Sequence, residues 1–151
     1  MLEIRAILAP TDFSHHAEVA VRYACGLAER LGATLHLLHV LSDIVPISPD
    51  PMLASSFPPE YYTESEAESH EALAHVLDEI EVRPQAVEVA VRWGDAVDAI
   101  VDYTAKQGID LIVIATHGRT GLSRVLLGSV ADRIVREAPC PVLTIRNRER
   151  A

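Results

Sequence analysis

Short apolar runs alternate with amphipathic stretches along most of the chain. Each apolar run ends at a proline, a glycine or a polar residue, which is typical of strands buried on both faces. The predicted strands cover residues 4–9, 34–41, 85–91, 110–115 and 142–146. None of these runs is long enough to cross a bilayer as a helix.

Helical periodicity fills the segments between these strands. In the first segment, apolar residues recur three and four positions apart from Ala17 to Leu31. Ser14 precedes this pattern as a candidate N-cap, and Gly32 follows it as a candidate C-cap. Three more helices are predicted at about residues 64–81, 94–108 and 129–137.

The alternation of strands and helices predicts an open, parallel α/β sheet with helices on both faces. Its crossover connections are expected to be right-handed. The chain shows no internal repeat and no linker, so residues 1–151 are predicted to form one domain. Residues 42–63 contain five prolines among serines and acids, and they are predicted to form a long surface loop, a candidate lid.

Charge and cysteine content narrow the functional classes. Thirteen basic and 22 acidic residues give a net charge of −9, which argues against nonspecific binding to nucleic acid or to an anionic membrane. Cys25 and Cys140 lack metal-ligand spacing and are predicted to be reduced, buried thiols. Because the sequence shows neither a signal peptide nor a transmembrane segment, we expect a cytoplasmic protein. We also expect no resident metal ion.

A glycine-rich segment follows the predicted strand at 110–115 and leads into the last helix. Gly118, Gly121 and Gly128 allow the backbone to approach a ligand closely. Gly128 and Ser129 are expected to place free N–H groups and a hydroxyl at a helix N-terminus, where an anion is favoured. The segment is neither a P-loop nor a G-x-G-x-x-G motif. It therefore predicts a phosphate site of another type.

Three side chains of this segment have two interpretations each. Arg119 and Arg124 can donate hydrogen bonds to phosphate or be solvated loop charges, and solvation is the favoured interpretation for Arg124. His117 can contact a phosphate or act as an acid or base, but packing within the glycine loop is the favoured interpretation.

A second loop lies at the end of the first predicted strand. Ligands of open parallel sheets bind beyond the carboxyl ends of the strands, where the strand order reverses. Pro10, Thr11 and Asp12 lie at such an end, and they share a cleft with the glycine segment if the first and fourth strands are neighbours. Asp12 would then bond a ribose hydroxyl or a base edge. Alternatively, Asp12 or Ser14 caps the following helix, and the two roles of Asp12 are weighted equally.

The spacing of the other histidines does not favour a metal site. His36 and His39 are three positions apart on a predicted strand, so they point to opposite faces and are predicted to be structural. His15 and His16 diverge at a helix start. Trp93 is predicted to close the end of a strand.

Five segments together are typical of one protein family. They read ILAPTDFS at 7–14, LLHV at 37–40, THGRTG at 116–121, GSV at 128–130 and APCPVL at 138–143. Through these segments the chain resembles the universal stress protein family over essentially its whole length. The resemblance implies an open five-stranded parallel sheet of order 3-2-1-4-5 with helices on both faces, a Rossmann-like fold of the adenine nucleotide alpha hydrolase type.

The ATP-binding members of this family carry the pattern G-x2-G-x9-G-[ST]. In this chain Gly118, Gly128 and Ser129 match the later positions of the pattern. Ala115 stands at its first glycine position, which adds one methyl group beside the expected nucleotide.

The resemblance also implies a role for each part of the cleft around a bound ATP or AMP. Asp12 would contact the adenosine half, and the backbone of Val40 would pair with the adenine edge. Val130 would join the glycines and Ser129 around the phosphates, which would themselves supply most ligands of a divalent ion such as Mg²⁺. The candidate nucleotide-binding residues are Pro10, Thr11, Asp12, Val40, Ala115, His117, Gly118, Arg119, Gly128, Ser129 and Val130.

Three functions follow from these features. The first is an adenine-nucleotide-binding sensor or regulator of the stress response; the resemblance implies a homodimer through the last strand, Val142–Ile145, whose apolar edge would otherwise be exposed. The second is a slow ATP hydrolase with His117 as its acid or base. The third is a dimeric adaptor that has lost nucleotide binding, suggested by Ala115. The first is favoured because the chain has a phosphate cradle but no evident nucleophile, catalytic base or dedicated metal ligands.

Overall fold

Strands and helices alternate through the described part of the chain. The computed structural model describes residues 2–42, 57–118 and 127–147. In chain order the elements are β1 (Ala6–Pro10), α1 (His15–Leu31), β2 (Thr34–Leu41), α2 (Pro59–Asp78), β3 (Val87–Trp93), α3 (Ala96–Gln107), β4 (Leu111–Ala115), α4 (Ser129–Glu137) and β5 (Val142–Ile145).

The strands form a single parallel sheet in the order β3-β2-β1-β4-β5. At its centre, Ile7 of β1 pairs with Leu35 of β2 on one side and with Leu111 of β4 on the other. The predicted order is therefore confirmed. Because β1 and β4 are neighbours, their carboxyl ends open side by side, and the strand order reverses between them.

Both faces of the sheet are covered by helices, as the apolar character of the central strands predicted. Ile7 and Ala9 of β1 pack into a buried cluster with α1 and α2. Leu8, between them in sequence, packs into a second buried cluster with α3 and α4. This alternation follows from strand geometry, in which successive side chains point to opposite faces.

Local side-chain chemistry sets the ends of α1. The Ser14 hydroxyl accepts a hydrogen bond from the amide of Ala17 at 3.2 Å. Gly32 ends the helix at φ 65°, in the left-handed region that glycine adopts without steric penalty. Both predicted caps are confirmed.

The exposed faces of the helices carry charged pairs one turn apart. Arg22 pairs with Glu18, Lys106 with Asp102, and Arg136 with Asp132. Such pairs stabilise a helix by only about 0.2–0.5 kcal/mol each. No helix within residues 2–42, 57–118 or 127–147 combines the length and hydropathy needed to span a bilayer.

The start of α2 differs from the sequence prediction. The helix begins at Pro59 rather than at residue 64, and it ends at Asp78 rather than at 81. The assignment of residues 59–63 to the proline-rich loop was therefore wrong. Proline is favoured in the first helical turn because its φ is preset and its missing N–H has no partner there. Residues 43–56 of the predicted loop lie outside the described residues.

The two histidines of β2 are buried and point to opposite faces, as predicted. The His36 Nδ1 lies 2.9 Å from the hydroxyl of Tyr103 on α3. The His39 Nδ1 donates to the Thr11 carbonyl at 2.8 Å. Burial lowers the pKa of His36, opposed by the nearby Glu88 carboxylate. Both side chains serve the fold.

The cysteines are free thiols, one of them deeply buried. Burial raises the pKa of Cys25 to about 11, so the thiol stays protonated and poorly nucleophilic. Cys140 is only partly buried beside the start of β5, so the prediction of two buried thiols is wrong for this residue.

Candidate functional site

A cleft opens between the carboxyl ends of β1 and β4 and the start of α4. Its volume is about 290 Å³, at the lower end of the range typical of small-molecule sites. Ten of the predicted binding residues line it: Pro10, Thr11, Asp12, Val40, Ala115, His117, Gly118, Gly128, Ser129 and Val130. Arg119 and Arg124 lie outside the described residues. The structure thus brings the two predicted loops together.

The loop after β1 is tightly held. The Thr11 amide donates to the Leu38 carbonyl at 2.8 Å, and the Thr11 hydroxyl accepts from the Phe13 amide at 3.1 Å. Phe13 has φ 63°, a left-handed conformation that costs a non-glycine residue roughly 1–2 kcal/mol. Its ring packs against His39, with centroids 4.4 Å apart. These contacts fix the position of Asp12, which lies between Thr11 and Phe13.

Asp12 combines a structural role with a place in the cleft. Its Oδ1 accepts a hydrogen bond from the Ser14 amide at 3.0 Å, just before α1. Its Oδ2 lies against Gly118, where an added Cβ would sit only 2.7 Å from that oxygen. A larger residue at position 118 would force this carboxylate to shift from its present position. The α1 cap itself is Ser14, so Asp12 supports the loop without capping the helix.

Gly128 is needed for space rather than for backbone conformation. Its φ of −66° is open to any residue. An added Cβ, however, would lie 3.2 Å from the Thr116 carbonyl oxygen and 3.6 Å from the Cα of His117. The Gly128 amide donates to the same carbonyl at 2.6 Å. The expectation of a free Gly128 N–H group is therefore wrong, because this hydrogen bond closes the segment between β4 and α4 at its base.

The free amides of α4 begin one residue later. The first bond within the helix joins the Asp132 amide to the Gly128 carbonyl at 2.9 Å. The amides of Ser129, Val130 and Ala131 precede it and have no partner within the helix. No capping side chain occupies this terminus among the described residues. All three residues line the cleft, and their N–H groups and the helix dipole favour an anion there.

Much of the remaining lining of the cleft is apolar. Leu38 and Val40 of β2, Ile114 of β4, and Ala96 and Ile100 of α3 form its walls. Sequence reasoning missed the contribution of α3, which the chain reaches only after β3. The available signal was the spacing of Ala96 and Ile100, one turn apart at the start of a helix on this face of the sheet.

Ala115 lies at the floor of the cleft and is buried. Its side chain belongs to the cluster that packs beneath α1, on the face opposite α3 and α4. The methyl group at the first glycine position of the pattern is thus accommodated in the core.

The charges of the cleft are few. Its described lining includes the Asp12 carboxylate and the His117 imidazole but no lysine or arginine. The His117 Nδ1 lies 3.0 Å from the Thr116 hydroxyl. In residues 2–42, 57–118 and 127–147, no three His, Cys, Asp or Glu side chains are grouped to hold a metal ion. Backbone amides therefore dominate the polarity of the α4 end.

Known proteins resemble this chain in both sequence and fold. A universal stress protein of Methanocaldococcus jannaschii is 34% identical over 143 residues, which cover 94% of this chain and 82% of that protein. The structure of the universal stress protein UspA from Lactobacillus plantarum matches with a TM-score of 0.79 and 29% identity, covering 95% of this chain and 99% of UspA.

Three further structures share the fold at 19–21% identity and were solved with a nucleotide. One is a universal stress protein in complex with cAMP, covering 95% of this chain and 98% of its own, with a TM-score of 0.63. A family protein from Arabidopsis thaliana with AMP covers 96% and 93%, with a TM-score of 0.61. The Archaeoglobus fulgidus protein in complex with dAMP covers 96% and 99%, with a TM-score of 0.58.

The family comparison covers nearly all of the chain. The model of the Universal stress protein family matches residues 3–146. This span includes all five strands of the sheet, the four described helices and both loops of the cleft. With the relative from M. jannaschii above 30% identity, this match shows that the chain belongs to the universal stress protein family.

Proposed function

We propose that the protein binds an adenine nucleotide, ATP or AMP, in this cleft and acts as a regulator in the stress response. The observation that carries the proposal is the start of α4, where the amides of Ser129, Val130 and Ala131 face a cleft with no capping side chain among the described residues. Such a terminus binds phosphate through its N–H groups and its dipole.

The lining of the cleft has an apolar part and a part rich in amide N–H groups, as a nucleotide has an apolar base and anionic phosphates. The apolar walls from β2, β4 and α3 suit the faces of a base, and the amides of α4 suit a phosphate. Asp12, in the loop after β1, also lines the cleft, and its carboxylate is suited to accept hydrogen bonds from ribose hydroxyls. Proteins of the same fold that hold AMP, dAMP or cAMP support the choice of adenine.

A divalent ion would depend on the nucleotide. The cleft offers the Asp12 carboxylate and the His117 imidazole, and the described residues contain no three-residue ligand group. Mg²⁺ keeps several waters and binds phosphates readily. Apart from water, it would thus take most of its ligands from the phosphates of ATP.

The proposed assembly is a homodimer through β5. This strand pairs only with β4 in the described sheet, and Leu143 is 37% exposed. An exposed apolar edge strand is a liability that pairing with a second copy removes. Light scattering is expected to give twice the 16.5 kDa mass of one chain, and a strictly monomeric mass would contradict this part of the proposal.

Isothermal titration of the purified chain with AMP, ATP and adenosine tests the binding proposal. AMP and ATP should bind with Kd values below about 1 mM, which corresponds to roughly 4 kcal/mol. Adenosine should bind more weakly than AMP because it leaves the α4 amides without a phosphate. If neither AMP nor ATP binds up to millimolar concentration, the proposal is wrong.

Replacing Ala115 by glycine is expected to leave AMP affinity within about twofold, because the methyl packs into the core beneath α1. The free energy of unfolding should fall by about 0.5–1 kcal/mol, the usual penalty for glycine in a strand. Titration calorimetry and urea denaturation measure the two effects. A gain in affinity of tenfold or more would mean that the methyl obstructs the nucleotide.

A further inference from the structure

Two imidazoles lie near each other beside the cleft, and one of them lines it. His16 lies in the first turn of α1, and His117 follows β4. Their ring centroids are 6.0 Å apart, with the planes tilted by 49°. His117 lines the cleft, and its Nδ1 lies 3.0 Å from the Thr116 hydroxyl. His16, which sequence reasoning assigned only to a helix start, thus lies beside a residue of the cleft lining.

Charged and titratable groups lie around this pair on α1, on the loop after β1 and on α4. On α1, His15 lies 6.5 Å from His16 between ring centroids and 3.9 Å from a Glu18 carboxylate oxygen. The loop after β1 contributes the Asp12 carboxylate on the cleft wall. The carboxylates of Asp12 and Glu18 thus place negative charge in the surroundings of the pair, and the start of α1 contributes the positive end of its helix dipole.

On α4, the first acidic side chain, Asp132, is paired with Arg136. The start of this helix therefore presents mainly amide N–H groups to the cleft. They favour an anion but also oppose a nearby cation. A phosphate bound at these amides would bring nearly two negative charges at neutral pH into the cleft that His117 lines, and would favour a positive charge on the neighbouring imidazoles.

We propose that His16 and His117 form a protonatable pair that takes up part of a proton when a nucleotide phosphate enters the cleft. The inference rests on the proposed function and adds to it a residue of α1 and a dependence on pH. The described lining of the cleft contains no lysine or arginine, so among these lining residues imidazolium is the side-chain cation that can donate to the phosphate. Two imidazolium groups so close together repel each other, so the pair carries one positive charge at lower free energy than two.

The sign of the pH dependence follows from linkage. If the complex binds more protons than the free protein, the affinity for AMP rises as the pH falls. Histidine is the side chain whose charge ordinarily changes between about pH 5 and 8. The nucleotide phosphate also titrates near the lower part of this range, so comparison between variants isolates the contribution of the protein.

Titration calorimetry with AMP at about pH 7.5, in buffers of different ionisation enthalpy, measures the proton number directly. The wild type is expected to take up a fraction of a proton per AMP. His16→Gln and His117→Gln should each lower this number, and the double variant should abolish it. Relative to the wild type, the double variant should lose about 5- to 10-fold in affinity at pH 6 and clearly less at pH 8.

Two controls accompany the test. His70→Gln changes an exposed histidine of α2 and should leave the proton number unchanged. Adenosine, which has no phosphate, should bind the wild type without proton uptake. Circular dichroism and melting temperatures establish that each variant is folded.

The outcomes separate this inference from the proposed function. An equal, nonzero proton number in the wild type and the double variant, or no uptake by the wild type when AMP binds, would overturn the role of the pair alone. Failure of AMP to bind the wild type at any pH would overturn the proposed function and the pair with it.

Discussion

The Gly128→Val variant is expected to bind AMP at least about 100-fold more weakly than the wild type while remaining folded, a loss of roughly 2.7 kcal/mol. A Cβ at this position would already lie 3.2 Å from the Thr116 carbonyl oxygen, and valine adds two methyl groups beyond it. Relief of this overlap moves the start of α4 away from the end of β4. The amides of Ser129 and Val130 then no longer face a phosphate held in the cleft.

Calorimetry and thermal melts distinguish a binding defect from unfolding. Overpacking of this kind costs about 1–3 kcal/mol of stability, which a folded domain can tolerate. At 100 times its Kd, AMP stabilises the native state by about 2.7 kcal/mol, which raises the melting temperature of a chain of this size by roughly 5–10 °C. The wild type should show this shift. At the same AMP concentration, which is then no more than its own Kd, Gly128→Val should gain at most about 0.4 kcal/mol, or roughly 1–2 °C.

Gly26→Val provides the matched control. Gly26 lies within α1, and an added Cβ there meets no atom within 4 Å. The same substitution at this position should leave AMP affinity within about twofold, since it changes no group at the cleft. If Gly128→Val bound AMP nearly as well as Gly26→Val, the start of α4 could not be the phosphate site.

Removal of the Asp12 carboxylate is expected to lower the affinity for both adenosine and AMP by about 10- to 100-fold. Hydrogen bonds to a charged group contribute roughly 1.5–3 kcal/mol, and the proposed partner is a ribose hydroxyl common to both ligands. The Asp12→Ala variant also loses the acceptor of the Ser14 amide. Its effect on stability must therefore be measured alongside its effect on binding.

Ser14→Ala separates the two roles. It removes the α1 cap at Ala17 and should lower stability by about 1 kcal/mol, but it should leave nucleotide affinity within about twofold. Asp12→Ala should show the converse pattern, with a large binding defect. If Asp12→Ala instead bound AMP more tightly, the carboxylate would act on the ligand only by repelling its phosphate, and the ribose contact would be wrong.

Local chemistry made some elements readily predictable from the sequence. The ends of α1 were identified correctly because Ser14 and Gly32 determine them through their own hydrogen bond and backbone conformation. The bounds of β2 were also correct, since a strand paired on both sides and covered on both faces gives a continuous apolar run. The strand order, by contrast, came from the family resemblance and not from local patterns.

Other features depend on contacts that a sequence does not display. The pattern of β3 was displaced by two residues, because Val87 and Val89 of this edge strand are each 37% exposed and the apolar contrast is weak. The N–H group of Gly128 was expected to be free. Only the folded structure shows that the Thr116 carbonyl comes close enough to accept from it.

The candidate site was predicted best where one loop carries several of its residues. Both strand-end loops were identified, since their glycines and Asp12 are conspicuous in sequence. Ala96 and Ile100 were missed because their apolar side chains do not distinguish a cleft wall from an ordinary helix core. His16 was missed for a similar reason, since its proximity to His117 depends on the packing of α1 against the sheet.

The left-handed backbone conformation of Phe13 affects the entropy cost of ligand binding. Its ring packs at a tilt against His39, whose imidazole hydrogen-bonds to the carbonyl of Thr11. These contacts join β1 and β2 near their carboxyl ends and hold the unfavourable φ of Phe13 in place. This side of the cleft is consequently preorganised. A ligand that binds against this side does not have to order a flexible loop. The loss of conformational entropy on binding is therefore smaller.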